Sequence, residues 1–458
     1  MAHVPTQSLE AARVGPYLVL LFGLLSTATL FDGFDAAMLG LAAPDARATL
    51  GISRSEWGYL SGFTRLGVML SFLLLLQADR LGRRRLLMVT VLGFTLASGA
   101  TAFVTGPAQF AACQFLARLF LTAEYSLAII VVGEEFPARL RGRAIAILTS
   151  LATVGVMLMA KLQPFVLLPE GAESNWLHAL GSGLVRAGQS ALGVSVDGAN
   201  WRALYVLGAF PLVLVGLLRF ALRETRRFEA ARPAEPAKGR ARLAEILRPW
   251  APEYRRRTAV VALLWNCVHL VIAPSVTYWV IFAREDLGLT ASQVGDVVFW
   301  GYGGGVAGHF VAGWLVDRLG RKWTCSGFYV AASIAIFFLY HVPSLAGQYV
   351  WMILTVFSFG AANTATHVYA SELFPTEIRA TGYGWTTNFV GRLTEVGTPV
   401  AIGLLVAPLG IPGAIAVVAG GPILGALLVL RFAPETRGLT LEEVQERLSG
   451  RQTGVAKG

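Results

Sequence analysis

The stretch GWLVDRLGRKW, residues 313–323, lies between two apolar runs and carries one acidic residue followed by clustered basic residues. A similar stretch, LLQADRLGRRR, occupies residues 75–85. Asp79 and Asp317 hold the same place in the two copies. A charged loop that recurs in this way between apolar runs predicts a membrane protein built from two related halves.

Two further echoes support the duplication. EEFPARLR at 134–141 recurs as ELFPTEIR at 372–379, with the same separation along the chain as the two aspartates. RFALRETR from Arg219 recurs as RFAPETR from Arg431, but these two copies stand closer together. Because these copies are separated by fewer residues than the other two pairs, the first half must contain about 26 residues before Arg219 that the second half lacks. The segment 168–200 is the natural location for them. Its apolar residues approximate a helical stripe, which predicts a helix packed on the outer surface at the headgroup interface.

Composition predicts an all-α integral membrane protein. The 458 residues are 55% hydrophobic and only 14% charged, well below the charged fraction of soluble proteins. Apolar runs of about 20 residues, each able to cross the bilayer as a helix, recur along the chain. We predict twelve transmembrane helices in two six-helix pseudo-repeats, at 17–41, 56–77, 86–104, 108–133, 144–167, 201–221, 258–283, 295–316, 324–342, 347–370, 382–405 and 411–431.

The charge distribution predicts the orientation of the chain. Most of the 38 Lys and Arg residues fall in alternate loops and in the two terminal segments. The positive-inside rule then places both termini in the cytoplasm of a multi-pass plasma membrane protein, as in a bacterial inner membrane. The N-terminal segment lacks the pattern of a cleavable signal peptide. The net charge of +10 suits anionic lipid headgroups, and without a recognition motif it does not indicate nucleic acid.

The spans and loops predict the domain organisation. The predicted units are an N-terminal half at 1–221, a cytoplasmic linker at 222–257, a C-terminal half at 258–432 and a cytoplasmic tail at 433–458.

No cofactor or metal site is indicated. Three cysteines lie in or beside apolar runs, and the histidines within spans lack metal-ligand spacing. We interpret His269, His309 and His367 first as hydrogen-bonded interior residues and second as proton carriers. The glycine run at 301–308 has no phosphate-binding context, so it predicts close helix packing.

The pattern G-x-x-x-D-R-x-G-R-K at 313–322 resembles the signature loop between the second and third helix of each half of a major facilitator superfamily transporter. The first copy has Leu75 where glycine is usual. The loops at 134–141 and 372–379 and the stretch PETRGLTLEEV from Pro434 resemble the sugar-porter and organic-acid branches of that superfamily. This resemblance implies a set of inner-face gating residues that hold one state of the transporter. They are Asp79, Arg80, Arg83, Glu134, Arg141, Asp317, Arg318, Arg321, Glu372 and Arg379. The alternative is a positive-inside anchor with solvated loop charges.

Asp32 and Asp35, in FDGFD of the first span, are three residues apart and share a helix face. A charge at bilayer depth costs about 3 kcal/mol on insertion scales and is usually functional, so both are candidates for carrying a proton. The motif resembles the first helix of aromatic-acid and proton symporters. Asp35 could instead lie shallow enough to be wetted.

The fourth span contains Arg118 and Glu124 in ARLFLTAEYSLA. This stretch resembles the R-x-x-x-G-x-G-G-E pattern of organic-acid symporters, with Thr122 and Ala123 replacing glycines. The resemblance makes Glu124 a further candidate for proton coupling. Arg118 could contact an anionic substrate or pair with a buried carboxylate.

Further cavity candidates lie in the second half. Arg392 matches a family arginine and is three residues from Glu395, with which we expect it to pair. Asn388, Trp265 and Tyr278 are candidates for lining the cavity. The aromatic residues could instead form belts at the membrane interface.

The predicted function is proton-coupled symport of a small, possibly aromatic or carboxylic, acid by alternating access, by a monomer. A sugar or polyol porter is the first alternative and an exporter of amphiphilic compounds the second. A receptor or scaffold that kept the fold is the alternative outside transport. No nucleophile–base or metal constellation and no ATP-binding motif is visible, so an enzyme is not predicted.

Overall fold

The chain folds into helices. The computed structural model describes residues 15–77, 81–136, 138–168, 173–223, 240–270, 277–375, 378–437 and 443, and these contain no β-strand, which confirms the all-α prediction for this part of the chain. The helices are α1 Pro16–Leu41, α2 Ala43–Leu50, α3 Arg54–Leu75, α4 Arg83–Thr101, α5 Pro107–Glu135, α6 Ala138–Val166, α7 Trp176–Leu192, α8 Ala199–Leu218, α9 Arg240–Leu247, α10 Arg255–His269, α11 Ala291–Leu319, α12 Arg321–His341, α13 Leu345–Leu373, α14 Arg379–Gly384 and α15 Leu393–Phe432.

Short non-α turns occur beside several helices. The 3-10 turns are Arg219–Ala221, Arg248–Trp250 and Val390–Arg392. A helical turn at Trp279–Ile281 continues into a π-helical turn at Phe282–Asp286, and a second π-helical turn lies at Trp385–Phe389. Turns of this kind often mark functional sites, because they redirect side chains within a helix.

Eight helical stretches in the described residues are long and apolar enough to cross a membrane. The last, Thr381–Phe432, contains two of the twelve predicted spans, and its backbone breaks at Gly410. The predicted spans at 86–104 and 295–316 correspond to α4 and α11. The span at 258–283 corresponds to α10 and the turn at Trp279–Ile281.

Glycine conformations repeat between the two halves. Gly82 and Gly320, in the two signature loops, have φ of 88° and 92°, values that side-chain-bearing residues rarely adopt. Gly51 and Gly288 both have φ of 65°. These two glycines end a fourth echo, ARATLG at 46–51 and AREDLG at 283–288, whose separation nearly equals that of the signature loops. The shared backbone conformations agree with the duplication read from the sequence.

Close helix crossings explain other glycines. A Cβ atom at Gly33 would overlap the backbone of Ala152, and one at Gly155 would overlap the carbonyl oxygen of Leu30, so α1 and α6 cross with their backbones nearly in contact. The glycine run of α11 packs against α13 in the same way, which confirms the packing interpretation. Its contacts include Gly308 against the backbone of Phe357.

The segment predicted to be an insertion contains a regular helix, α7. Asn175 caps it, since the side-chain oxygen accepts hydrogen bonds from the backbone N–H groups of Leu177 and His178. Gly181 and Val185 are its buried residues, whereas the side chain of Trp176 is 77% exposed. A helix with one packed side and exposed aromatic and aliphatic groups is compatible with a position at a membrane interface.

The described residues pack into two compact units. The first is drawn from Met1–Ser53, Phe63–Pro236 and Ala283–Phe299, and the second from Arg54–Gly62, Ala237–Phe282 and Trp300–Gly458. The predicted domain boundaries at 221, 257 and 432 remain predictions.

Candidate functional site

The first unit contains a buried group of carboxylates and arginines, which we call the acidic cluster: Asp32, Asp35, Arg118, Glu124 and Arg219. Arg118 Nη2 lies 3.6 Å from Asp35 Oδ2 and donates to the backbone oxygen of Asp35 at 3.0 Å. The Ser98 hydroxyl donates to Asp35 Oδ1 at 2.7 Å. Of the two roles considered for Arg118, the geometry shows the pairing with a buried carboxylate.

Glu124 has a different partner, which the sequence did not indicate. Its Oε1 lies 2.5 Å from Nη1 of Arg219, and its Oε2 accepts a hydrogen bond from the Thr90 hydroxyl at 2.5 Å. Arg219 is fully buried at the end of α8 and also donates to the Leu87 carbonyl. The only sequence signal was the echo with Arg431, a residue that is exposed.

Asp32 differs from the other carboxylates of the acidic cluster. It is 5% exposed, and neither of its carboxylate oxygens has a hydrogen-bond partner among the described residues. The two arginines of the acidic cluster form their ion pairs with Asp35 and Glu124, and no described cation forms one with Asp32. A buried carboxylate without a hydrogen-bond partner is costly in an apolar interior.

The second unit contains another polar group, which we call the His269 cluster: His269, Arg392, Glu395 and Asn266. Arg392 Nη1 donates to Glu395 Oε2 at 2.6 Å, which confirms the predicted pair. Nε2 of His269 lies 3.9 Å from the same oxygen. Asn266 holds the turn around Arg392, because it donates to the Val390 carbonyl and accepts from the backbone N–H of Thr394.

Aromatic side chains surround the His269 cluster. Trp265 is 2% exposed and stacks on His269 with ring centroids 5.6 Å apart. It also contacts the edge of His367, whose Nδ1 is hydrogen-bonded to the Tyr383 hydroxyl. His309 is hydrogen-bonded to Thr364 but is exposed, so the interior interpretation holds for His269, which is buried, and for His367, which is partly buried, but not for His309.

The remaining cavity candidates differ in burial. Tyr278 is fully buried, and its hydroxyl donates to the Pro399 carbonyl at 3.1 Å. Burial places Tyr278 and Trp265 in the protein interior and not in an interface belt. Asn388 lies half-buried in the π-helical turn before Arg392.

Part of the predicted gating set forms an ion-pair group in the second unit. Arg321 donates to Glu372 from Nε and Nη2, the latter at 2.6 Å from Oε1. Asp317 lies 3.5 Å from Arg321 but is 79% exposed at its side chain, so its contact is the weaker one. Arg318 stacks over the ring of Trp314.

Glu435, in the PETR motif, caps the N-terminus of α12. Its carboxylate accepts hydrogen bonds from the backbone N–H groups of Arg321 and Lys322, the first residues of α12. A carboxylate at a helix N-terminus is favourable because it satisfies free donors and meets the positive end of the helix dipole. Thr436 links the motif to the ion pair by donating to Glu372 at 2.6 Å.

The remaining residues of the predicted gating set are described only in part. Asp79 and Arg80 lie outside the described residues, as do the side chains of Glu134, Arg141 and Arg379. Arg83 is half-buried at the start of α4. The proposed gating role of this set remains a prediction.

Ion pairs on the predicted outer side join segments from the two sequence halves within the first unit. Arg47 Nη1 lies 2.5 Å from Glu285 Oε1, and Arg284 Nη1 lies 3.8 Å from Asp45 Oδ2. Burial raises the pKa of Asp45, and the nearby Arg284 guanidinium offsets part of that rise. No sequence motif indicated this group, although the echo at 46–51 and 283–288 contains both arginines.

Within the described part of the chain, no group of three or more His, Cys, Asp or Glu residues is placed to hold a metal ion.

Comparison with known proteins identifies the family. The family model of the Major Facilitator Superfamily matches residues 25–394 and 276–453, so the chain belongs to this superfamily. Members of the superfamily are transporters and not enzymes. The chain is 26% identical over 426 residues to a gallate transporter of Pseudomonas putida, covering 87% of this chain and 88% of that one. It is also 26% identical to the 4-hydroxybenzoate transporter PcaK of Pseudomonas aeruginosa, covering 85% and 86% of the two chains.

A solved structure supports the fold. The crystal structure of a D-xylose–proton symporter matches with a TM-score of 0.72 and 16% identity, covering 93% of this chain and all of that one. The twelve predicted spans are consistent with this fold.

Proposed function

We propose that the protein is a proton-coupled symporter of small aromatic or other carboxylic acids and that Asp32 carries the proton. The observation that supports this most directly is the charge balance of the acidic cluster. Asp35 and Glu124 each face an arginine, whereas Asp32 is buried without a described hydrogen-bond partner. Its charge therefore depends on whether water reaches it, which is the property that an alternating-access carrier requires of its proton site.

The relatives support the substrate class. Those named for gallate and 4-hydroxybenzoate transport aromatic carboxylates, according to their names. In this chain Arg118 is occupied by Asp35 and is buried, whereas the side chain of Arg392 is 21% exposed. Arg392 shares Glu395 with His269, on which Trp265 stacks, so it is the better candidate for binding the carboxylate of an aromatic solute.

The test replaces Asp32 by Asn, which keeps the shape of the side chain and mimics its protonated form. In proteoliposomes supplied with labelled gallate, 4-hydroxybenzoate, nicotinate or xylose, the parent protein should accumulate an aromatic acid when an inward proton gradient is imposed. Asp32→Asn should abolish gradient-driven accumulation while solute counterflow remains measurable, because exchange needs no net proton movement.

The matched control is Glu253→Gln, which removes an exposed carboxylate between α9 and α10 and should leave both activities unchanged. Undiminished accumulation by Asp32→Asn would exclude this aspartate as the proton carrier. Accumulation of xylose but none of the acids would contradict the proposed substrate class.

A further inference from the structure

The protonation state of His269 is constrained by its two neighbours. Its Nδ1 lies 2.8 Å from the carbonyl oxygen of Gly391. A carbonyl oxygen only accepts, so Nδ1 must carry the hydrogen. In the neutral ring, Nε2 therefore presents a lone pair, and it faces Glu395 Oε2 at 3.9 Å. Two acceptors face each other there, which favours a proton between them.

Arg392 controls how strongly Glu395 attracts that proton. It donates to Oε2 of Glu395, the same oxygen that faces His269. The side chains of Glu395 and His269 are only 3% and 4% exposed, whereas that of Arg392 is 21% exposed. A dissolved anion can therefore reach Arg392 more readily than the other two groups.

We propose that His269 is a second proton-binding residue, loaded when a solute carboxylate draws Arg392 away from Glu395. A hydronium ion in the entering water then transfers a proton to the Nε2 lone pair: its O–H bond breaks as the N–H bond forms, and a water molecule is left. The resulting imidazolium compensates the charge of Glu395, and no other covalent bond is made or broken. The identity of the anion rests on the proposed function, but the coupling of His269 to Glu395 does not.

The surroundings of His269 suit an imidazolium. Trp265 on the same helix stacks on the ring, and a cation over an indole face is stabilised. Among the described residues, the nearby charged or titratable groups are Arg392 and Glu395, together with His367, which contacts Trp265, and its neighbours Tyr383 and His309. Arg392 opposes protonation as long as it stays close, so its displacement and the proton uptake should be linked.

The first experiment needs no solute. Tryptophan fluorescence is followed against pH for the parent protein and for Trp265→Phe, and the difference isolates Trp265. We expect a pH transition that is lost in His269→Gln and is moved by Glu395→Gln to lower pH by about one unit or more, because the neighbouring carboxylate no longer favours the imidazolium. His367→Gln is the matched control, since His367 also contacts Trp265, and it should keep the transition.

The second experiment uses 4-hydroxybenzoate uptake under an imposed membrane potential. Entry of a monovalent anion with protons on both Asp32 and His269 carries net positive charge inward, so an inside-negative potential should increase uptake by the parent several-fold. In His269→Gln the cargo is electroneutral and the potential dependence should disappear, whereas His367→Gln should retain it.

The outcomes separate the two proposals. A Trp265 transition that survives in His269→Gln, or that does not move in Glu395→Gln, would overturn the His269 assignment whatever the solute is. Potential-dependent uptake that persists in His269→Gln would overturn its transport role. The expected fluorescence changes without any uptake of 4-hydroxybenzoate would support the His269–Glu395 coupling and count against the proposed substrate.

Discussion

Arg219 illustrates why a buried ion pair depends on both partners. Arg219 and Glu124 are 0% and 1% exposed at their side chains, so neither can be solvated by bulk water if the other is removed. The attraction within such a pair is offset by the cost of burying both charges. The pair therefore fixes how α5 and the end of α8 meet more than it adds net stability.

We expect Arg219→Met to lower the free energy of unfolding by about 3 to 5 kcal/mol, because it leaves Glu124 as an unpaired buried charge. The double variant Arg219→Met, Glu124→Gln removes both charges and should recover most of that loss. The measurement is a denaturant titration of the detergent-solubilised protein. Equal instability of the single and double variants would show that the Arg219 side chain stabilises by packing and not by charge.

The sequence predicted contacts between residues close along one helix but not the partners brought together by helix packing. The Arg392–Glu395 pair follows from a spacing of three residues. The pairs Arg118–Asp35 and Arg219–Glu124 join different helices, and their formation depends on how those helices are rotated and shifted against each other. That information is spread over many apolar contacts and has no local motif.

At the scale of secondary structure, the FDGFD motif of α1 lies where α1 crosses α6. Gly33 stands directly beside Asp32, and the absence of a Cβ atom there lets α6 approach. The sequence indicated that the aspartates are functional. The need for glycine at positions 33 and 155 is explained only by the close approach of the partner helix, which the sequence did not predict.

We expect Gly155→Ala to lower the free energy of unfolding by about 1 to 3 kcal/mol, because the added methyl group overlaps backbone of α1 and forces the helices apart. Transport should fall with it, since Asp32 shifts with α1. Gly23→Ala, in α1 with open space around it, is the matched control and should be close to neutral. Similar losses in both variants would mean that helix flexibility, and not the crossing distance, is what the glycines supply.

At the scale of the whole molecule, the ion pairs at Arg47–Glu285 and Asp45–Arg284 connect segments that the sequence assigns to different halves. Alternating access requires such contacts to form and break as the halves rock. The repeats predicted the two halves, whereas these ion pairs could not be predicted, because no rule of spacing joins residues so far apart in the chain.

We expect Arg47→Glu and Glu285→Arg each to reduce uptake several-fold while equilibrium solute binding persists. Each variant brings two like charges together in the conformational state in which the parent protein forms the ion pair. The double variant restores opposite charges and should recover most of the uptake. The exposed pair Lys161–Asp296 is the matched control, and reversing it should change little. Loss of binding and uptake together in folded single variants would contradict a gating role.

These ion pairs also carry a record of ancestry. Arg47 and Arg284 are equivalent positions of the duplicated sequence, and each reaches an acidic residue contributed by the other copy. The acidic partners are not equivalent, since Asp45 precedes Arg47 by two residues whereas Glu285 follows Arg284 by one. The repeats therefore share the arginine, while each half has acquired its own carboxylate at a different position. The two contacts differ accordingly, with one at 2.5 Å and the other at 3.8 Å.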